Sequence, residues 1–160
     1  MSNNLQRQNR AELLRVDLQK RLAWLMISAL PKGRSATDPN MINEPPRFPV
    51  RLPNAGSAII SEAKIRDYLL SPTHPIGRFK AVFFSALGYT IDNWERLQAD
   101  LLRLAESGEA FVGQASAYGQ KYEVRGILTG PLGRRADLIT VWIVLNGGTY
   151  PQFVTAYPGE

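Results

Sequence analysis

The chain has 160 residues, of which 44% are apolar and 21% charged, a composition that is ordinary for a globular protein and unlike that of a disordered chain. Its longest apolar run, residues 22–30, is far shorter than the roughly 18–20 residues that a membrane-spanning helix needs. The acidic residues before this run argue against a signal peptide. The absence of cysteine excludes disulfides, thiolate metal sites and a cysteine nucleophile. We therefore expect a cytoplasmic protein that does not enter a membrane.

The net charge of +5 belongs mostly to the N-terminal part of the chain. Residues 1–49 contain eight Lys or Arg and four Asp or Glu, which gives +4, whereas residues 50–160 contain eleven and ten, which gives +1. Affinity for nucleic acid depends on where Lys and Arg meet phosphates rather than on net charge. The net charge therefore neither predicts nor excludes an RNA partner.

The N-terminal part predicts a helix on a tether. Over residues 5–30, leucines recur at helical spacing among basic residues, which is typical of an amphipathic helix. The apolar stripe is expected to dock on its own domain or to pair with a second copy, giving a homo-oligomer. Met41 is an alternative start of translation. The predicted domains are an amphipathic helix at 1–30, a Pro-rich linker at 31–49 and a folded domain at 50–160.

Three helical patterns open the folded domain. The first, over 61–71, places Ile65, Tyr68 and Leu69 inward, and the third, over 90–107, carries a regular leucine stripe. The second, over 77–87, is expected to bury the apolar residues Phe79, Val82, Phe83 and Ala86.

After Gly108 the apolar period changes from 3.6 to 2, which predicts strands. The expected strands cover 109–117, 120–128, 136–145 and 152–157. The third is apolar on both faces and should therefore lie centrally in the sheet. Helices followed by consecutive strands predict an α+β fold with three helices and then a four-stranded antiparallel sheet.

Several familiar catalytic motifs are absent. The sequence contains no P-loop, no dinucleotide fingerprint and no GxSxG elbow. With one histidine and no cysteine, only carboxylates remain as metal ligands, and those on the third helix are interpreted as its solvated face. We therefore predict no metal site and no cofactor.

The single histidine, His74, lies between two helical patterns on a turn that Pro72 and Pro75 stiffen. Arg78 and Lys80 follow within two helical turns. An imidazole can transfer protons near neutral pH, and cations can stabilise a phosphate, so this junction fits a phosphodiester. The alternative is a histidine that only closes a corner between two helices.

Polar groups on the predicted strands form a second set of candidates. Thr140 interrupts an apolar strand, so its hydroxyl must bond the backbone or face a cleft. Thr155 and Tyr157 alternate onto one face of the last strand, although Tyr157 could instead close the core. Tyr118 and Lys121 lie near the start of a predicted strand. They are candidates for binding, and the alternative is that they are ordinary residues at the edge of a strand.

Residues 52–158 resemble a bacterial uncharacterised-domain family that accompanies small toxin-linked reading frames. The resemblance is carried by Leu-Pro-Asn-Ala at 52–55, Lys-Ile-Arg-Asp-Tyr-Leu-Leu at 64–70, His-Pro-Ile-Gly at 74–77 with Lys80, Tyr-Gly-Gln-Lys-Tyr at 118–122, Thr-Val-Trp at 140–142 and Val-Thr-Ala-Tyr-Pro at 154–158. The layout of helices before a sheet is similar to that of the Barnase–EndoU–colicin–RelE (BECR) superfamily of toxin ribonucleases. This second similarity rests on architecture and residue types.

The resemblance implies a metal-independent ribonuclease of bacterial toxin type, which has RNA as substrate and a cognate antitoxin or immunity protein as partner. The catalytic residues that it implies are His74 as base or acid, Lys80, Thr140 and Tyr157. The substrate-binding residues that it implies are Arg78, Tyr118, Lys121 and Thr155. The chain departs from a standard design because it lacks a second histidine, and Glu123 is the nearest substitute for a catalytic glutamate.

A non-catalytic protein-interaction module is the competing interpretation. In that case the sheet or the N-terminal helix would bind a protein partner. Growth on induction separates the two, because a toxin arrests the host and an interaction module does not.

Overall fold

The computed structural model describes residues 47–159, so the predicted helix at 5–30, most of the predicted linker and Met41 lie outside it. Within the described residues three helices precede four strands, together with two single 3₁₀ turns, Ala55–Ser57 and Ile91–Asn93. The helices are α1 (Lys64–Leu69), α2 (Arg78–Ala86) and α3 (Trp94–Ser107). The strands are β1 (Glu109–Ser116), β2 (Gly119–Thr129), β3 (Arg135–Leu145) and β4 (Pro151–Pro158). This order confirms the predicted α+β class. Between residues 47 and 159 no helix has the length and apolarity that crossing a bilayer requires.

The strands form one antiparallel meander in the order β1-β2-β3-β4. Val141, Trp142 and Ile143 of β3 are all buried, which confirms the predicted central position of this strand. The pairing of β3 with β4 shifts between Val141 and Trp142, where β4 contains one extra residue. Such a bulge changes the face to which the following side chains point.

Helix α3 covers one face of the sheet. Its buried residues include Leu97, Leu101 and Leu104, as the leucine stripe predicts. At Gly126 of β2, an added Cβ would lie 3.1 Å from Leu104 Cγ, so the helix approaches the strand closely there. We call this side the α3 face; it includes Val124, which lies two residues before Gly126 on the strand.

Helix α1 is shorter and wider than predicted. It is a single π-helical stretch in which the Leu70 N–H donates to the Ile65 carbonyl, 2.9 Å away and five residues back. Ile65, Tyr68 and Leu69 are buried, as predicted. Turns of this kind are often found at functional sites.

Helix α2 buries a different face from the one predicted. Phe79 and Val82 are 70% and 71% exposed, whereas Ala81 and Phe84 are buried. Phe84 packs edge-on against the ring of Tyr89, with centroids 6.3 Å apart. The prediction was wrong because apolar residues occur on nearly every side of this nine-residue helix, so spacing alone does not select the buried face.

The two phenylalanines of α2 provide a test of this orientation. We expect Phe84→Ala to lower the free energy of unfolding by about 3–5 kcal/mol, the usual cost of emptying a buried aromatic site. Phe79→Ala should change it by less than about 0.5 kcal/mol, because its ring is exposed. Denaturant titration of both variants measures the difference, and equal losses would contradict the orientation.

Candidate active site

Lys80 and Thr155, which are 75 residues apart in the sequence, are in direct contact. The Lys80 ammonium donates to Thr155 Oγ1 at 2.6 Å and to the Ala156 carbonyl at 2.7 Å. Thr155 is buried, and its Oγ1 lies 3.0 Å from the hydroxyl of Tyr68 on α1. Two helices and the last strand therefore meet at one polar cluster.

The hydroxyls of Thr155 and Tyr68 share one hydrogen bond, and either oxygen can be its donor. Thr155 Oγ1 also accepts from Lys80. Whichever hydroxyl donates, the proton of the other has no acceptor among residues 47–159. Burial raises the pKa of Tyr68, so its phenol stays protonated near neutral pH. The cluster therefore retains a hydroxyl donor for an added acceptor.

A second lysine reaches the same strand. The Lys64 ammonium donates to the Val154 carbonyl at 3.2 Å, two residues from the carbonyl that Lys80 contacts. Carbonyls two residues apart point to the same side of a strand, and β4 is an edge strand. Ile59 makes two backbone hydrogen bonds to the start of β4. This segment and the lysine pair, Lys64 and Lys80, together cover the edge of β4.

The lysine pair is desolvated and has no acidic partner among residues 47–159. Burial lowers the pKa of Lys64 to about 8, and burial followed by the charge of Lys64 lowers the pKa of Lys80 to about 8. Both ammonium groups lie near the Tyr68 ring, 5.5 and 5.3 Å from its centroid. The ion pairs formed within the described part of the chain include neither lysine.

His74 is held by the turn that leads into α2. Its Nδ1 accepts hydrogen bonds from the N–H groups of Ile76 and Gly77, at 3.2 and 2.9 Å. In the neutral ring the proton therefore lies on Nε2. A side chain at Gly77 would collide with the Tyr68 carbonyl, so the corner is tight. The His74 ring packs edge-on against Tyr68, with centroids 5.1 Å apart, which links it to the cluster.

Tyr157 lies beside the cluster, with the centroid of its ring 6.0 Å from Lys80 Nζ. Burial, and then the carboxylate of Glu123, raise the pKa of Tyr157. Glu123 and Thr155 both pair with Val141, so they share the face opposite α3. Lys121 lies two residues from Glu123 on the same face, and burial lowers its pKa. This face therefore carries charged groups of both signs.

Thr140 lies away from the cluster, on the α3 face of the sheet. It pairs with Ala156, the neighbour of Thr155, and adjacent residues of a strand point to opposite faces. Its buried hydroxyl donates to the Val124 carbonyl at 3.2 Å and accepts from Trp142 Nε1 at 2.8 Å. The sequence left two alternatives for this hydroxyl, a bond to the backbone or a position facing a cleft, and the geometry matches the first.

Tyr118 and Arg78 also lie outside the cluster. Tyr118 is exposed in the β1–β2 turn next to Gly119, which pairs with Leu145. Leu145 lies six positions along β3 from Ile139, the partner of Tyr157, which corresponds to about 20 Å. Arg78 is exposed, and its guanidinium lies 4.8 Å from the centroid of the Phe79 ring.

Lys64 and Tyr68 are the members of the cluster that sequence reasoning missed. Their spacing of four residues places both on one side of α1. Tyr68 was predicted only as a core residue. A lysine in the first turn of a helix is ordinarily solvated, so no signal in the sequence distinguishes Lys64 from a surface residue. In the part of the chain that the structure describes, no three His, Asp or Glu side chains converge as metal ligands.

Comparison with known proteins identifies the family of this fold. The profile of the family described as a domain of unknown function (DUF6883) matches residues 51–160, close to the range 52–158 of the resemblance above. No curated protein matches the chain. One similar solved chain comes from a contact-dependent growth inhibition toxin–immunity protein complex of Klebsiella pneumoniae 342. It shows 18% identity and a TM-score of 0.49 over 66% of this chain and 97% of that one. The chain belongs to the DUF6883 family.

Proposed function

We propose that the chain is a metal-independent ribonuclease of bacterial toxin type, acting in the cytoplasm, with its active site centred on Lys80 and Thr155. The observation that carries this proposal is the largely buried Lys80 ammonium, which contacts a hydroxyl and a carbonyl and, within the part of the chain that the structure describes, no carboxylate. A desolvated cation without an acidic partner favours an anionic ligand. A phosphodiester is such a ligand, and the layout of helices before a sheet that resembles the BECR ribonucleases supports RNA as its source.

The donors of the cluster fit the charge that develops on a phosphate during cleavage. Lys80 uses two of its three N–H groups, and the third is a donor to a phosphate oxygen. The remaining hydroxyl proton of Tyr68 and Thr155 is a second donor. The His74 Nε2–H and the Tyr157 phenol are assigned to the same role. Donors fixed before the reaction stabilise the transition state without reorganisation.

The proton transfers then follow from the groups on this face. The Glu123 carboxylate takes the proton of the RNA 2′-hydroxyl, and the 2′-oxygen attacks phosphorus. The bond from phosphorus to the 5′-oxygen breaks, and that oxygen takes a proton from the Lys80 ammonium. The products are a 2′,3′-cyclic phosphate and a 5′-hydroxyl. Exchange with water returns the proton from Glu123 to Lys80.

The other sequence-predicted residues are assigned to the remainder of the RNA strand. Arg78 and Lys121 would contact phosphates beyond the cleaved one, and Tyr118 would stack on a base. Thr140 is left as a support for Trp142, because its hydroxyl is already bonded on the other face. A nuclease active against the host's RNA requires a cognate antitoxin or immunity protein, which we propose as the protein partner.

Cleavage by the purified full-length chain tests the proposal. We expect an RNA substrate to be cut to products with 2′,3′-cyclic phosphate ends, at the same rate with and without EDTA. Induction without the cognate partner should arrest growth. Intact RNA after prolonged incubation, together with normal growth, would contradict the ribonuclease assignment.

One observation favours the second candidate, a non-catalytic interaction module. Phe79 and Val82 expose an apolar strip on α2 beside the guanidinium of Arg78, and the helix contains no acidic residue. Such a surface suits an immunity protein that has an apolar patch with an acidic rim. Under this function RNA stays intact, growth is normal, and Phe79→Asp weakens binding of that immunity protein.

A further inference from the structure

The lysine pair is more than the edge of β4 requires. Elsewhere, neutral amides bond part-buried carbonyls: Gln98 Nε2 donates to the Ile60 carbonyl at 2.8 Å, and Gln120 Nε2 donates to the Gly113 carbonyl at 2.7 Å. The arginines that bond carbonyls, Arg51 and Arg134, do so at exposed positions. Covering a carbonyl therefore needs no charge. Burial lowers the pKa of Lys80, and the charge of Lys64 lowers it further, because two desolvated cations side by side disfavour one another. The positive charge at this edge is left without a structural reason.

The lysine pair also has N–H groups that make no hydrogen bond to residues 47–159. Lys64 uses one of its three N–H groups, on Val154, and Lys80 uses two. Three ammonium N–H groups and one hydroxyl proton of Tyr68 or Thr155 remain without acceptors among residues 47–159. An oxyanion with several acceptor oxygens matches this set of donors.

The spacing of the two ammonium groups suits a single phosphate. The carbonyls to which they donate, those of Val154 and Ala156, lie two residues apart in β4, a separation of about 7 Å in a regular strand that the bulge at Val154 shortens. A phosphate that accepts from each lysine through a different oxygen, with N–O distances of about 2.8 Å, spans a gap of that size. The Tyr68 ring lies within 5.5 Å of both cations, measured from its centroid.

We propose that Lys64 and Lys80 together hold one phosphate group at the edge of β4, so that Lys64 is a phosphate-binding residue in its own right. The identification of RNA as the source of that phosphate rests on the proposed function, whereas the anion site itself does not. A bound phosphate separates and neutralises the two charges and accepts the spare N–H groups. Its affinity should fall as pH rises through about 8, because burial lowers the pKa of both lysines to that value.

A pair of variants on α1 tests this site with the full chain. Lys64→Gln removes the charge and keeps a donor for the Val154 carbonyl. Arg66→Gln makes the same change of charge two residues away, at an exposed side chain that pairs with Glu62 at 2.6 Å. The probes are inorganic phosphate and a short labelled 2′-deoxyoligonucleotide, which lacks the 2′-hydroxyl and cannot be cleaved. We expect Lys64→Gln to weaken binding of both probes roughly tenfold or more, and Arg66→Gln to weaken it less than about twofold.

The outcomes separate this proposal from the ribonuclease. Wild-type binding by Lys64→Gln would overturn the phosphate site, even if RNA cleavage requires Lys80. Loss of binding in Lys64→Gln, from a chain that cleaves no RNA, would support the site and contradict the proposed function. Binding of the oligonucleotide but not of inorganic phosphate would overturn the single-phosphate geometry. Lys64→Arg, which keeps the charge, should retain binding, and an unchanged melting temperature shows that each variant is folded.

Discussion

Lys80→Met is expected to lower kcat/KM for RNA cleavage by about 10²–10⁴-fold, the usual range for losing a general acid. The substitution removes the cation that contacts the Thr155 hydroxyl and keeps a side chain of similar length. Because a buried charge is itself unfavourable, the melting temperature should stay the same or rise. Single-turnover assays on one labelled RNA, together with thermal melts, measure the two effects. A variant that cleaves RNA at the wild-type rate would remove Lys80 from the mechanism.

Lys80→Arg tests the role of the positive charge, because arginine keeps its charge at a pH where the buried lysine loses its proton. Below pH 8 the wild-type ammonium is charged, because burial lowers its pKa to about 8 and no further. We therefore expect kcat/KM to fall as pH rises through that value. The pKa values of Tyr68 and Tyr157 are raised, so these phenols do not titrate in this range, but Lys64 does. In Lys80→Arg the fall should become shallower, since arginine stays charged. Activity that increases through pH 8 would contradict a cationic role.

His74→Ala should also lower kcat/KM, by about 10²–10³-fold, the usual cost of removing one hydrogen-bond donor to the transition state. The substitution removes two things at once. It removes the Nε2–H that we assign to the phosphate, and it removes the Nδ1 acceptor for the N–H groups of Ile76 and Gly77. The second loss could displace the start of α2, which carries Lys80. A matched variant is therefore needed.

His74→Asn supplies that control. An asparagine oxygen can accept from the backbone N–H groups two and three residues on, as in an Asx turn, and it brings no imidazole. We expect His74→Asn to melt like the wild type and to be as inactive as His74→Ala. Recovery of cleavage in His74→Asn would show that His74 only positions the turn, the alternative that its hydrogen bonds also fit.

The sheet could be predicted from sequence because only one order of strands fits the alternation of apolar and polar residues along them. In β3, apolar residues on both faces place the strand centrally, and the turns at both ends leave only a meander. The face that α2 buries could not be predicted in this way. Phe79, Val82 and Phe84 are equally apolar, and the choice among them is made by Tyr89, which lies outside the helix.

The candidate site was predictable in its residue types but not in its arrangement. With regular pairing, Thr155 would lie opposite Thr140 and share its face. The extra residue in β4 shifts the pairing by one, so that Thr155 lies opposite Val141 and points away from α3. A single bulge, which has no clear signal in the sequence, therefore decides which threonine meets Lys80.

The covered edge of β4 also limits how this sheet can grow. Strand addition by another chain, the route to both peptide capture and edge-to-edge aggregation, needs a row of unpaired backbone groups. At β4 the incoming chain would have to displace Ile59 and then two ammonium groups. At β1 the first positions are taken by Val50, which pairs with Ala110. Among the described strands, the irregular half of β1 after Val112 is therefore the stretch where a strand from another chain would pair without displacing Ile59, the two ammonium groups or Val50.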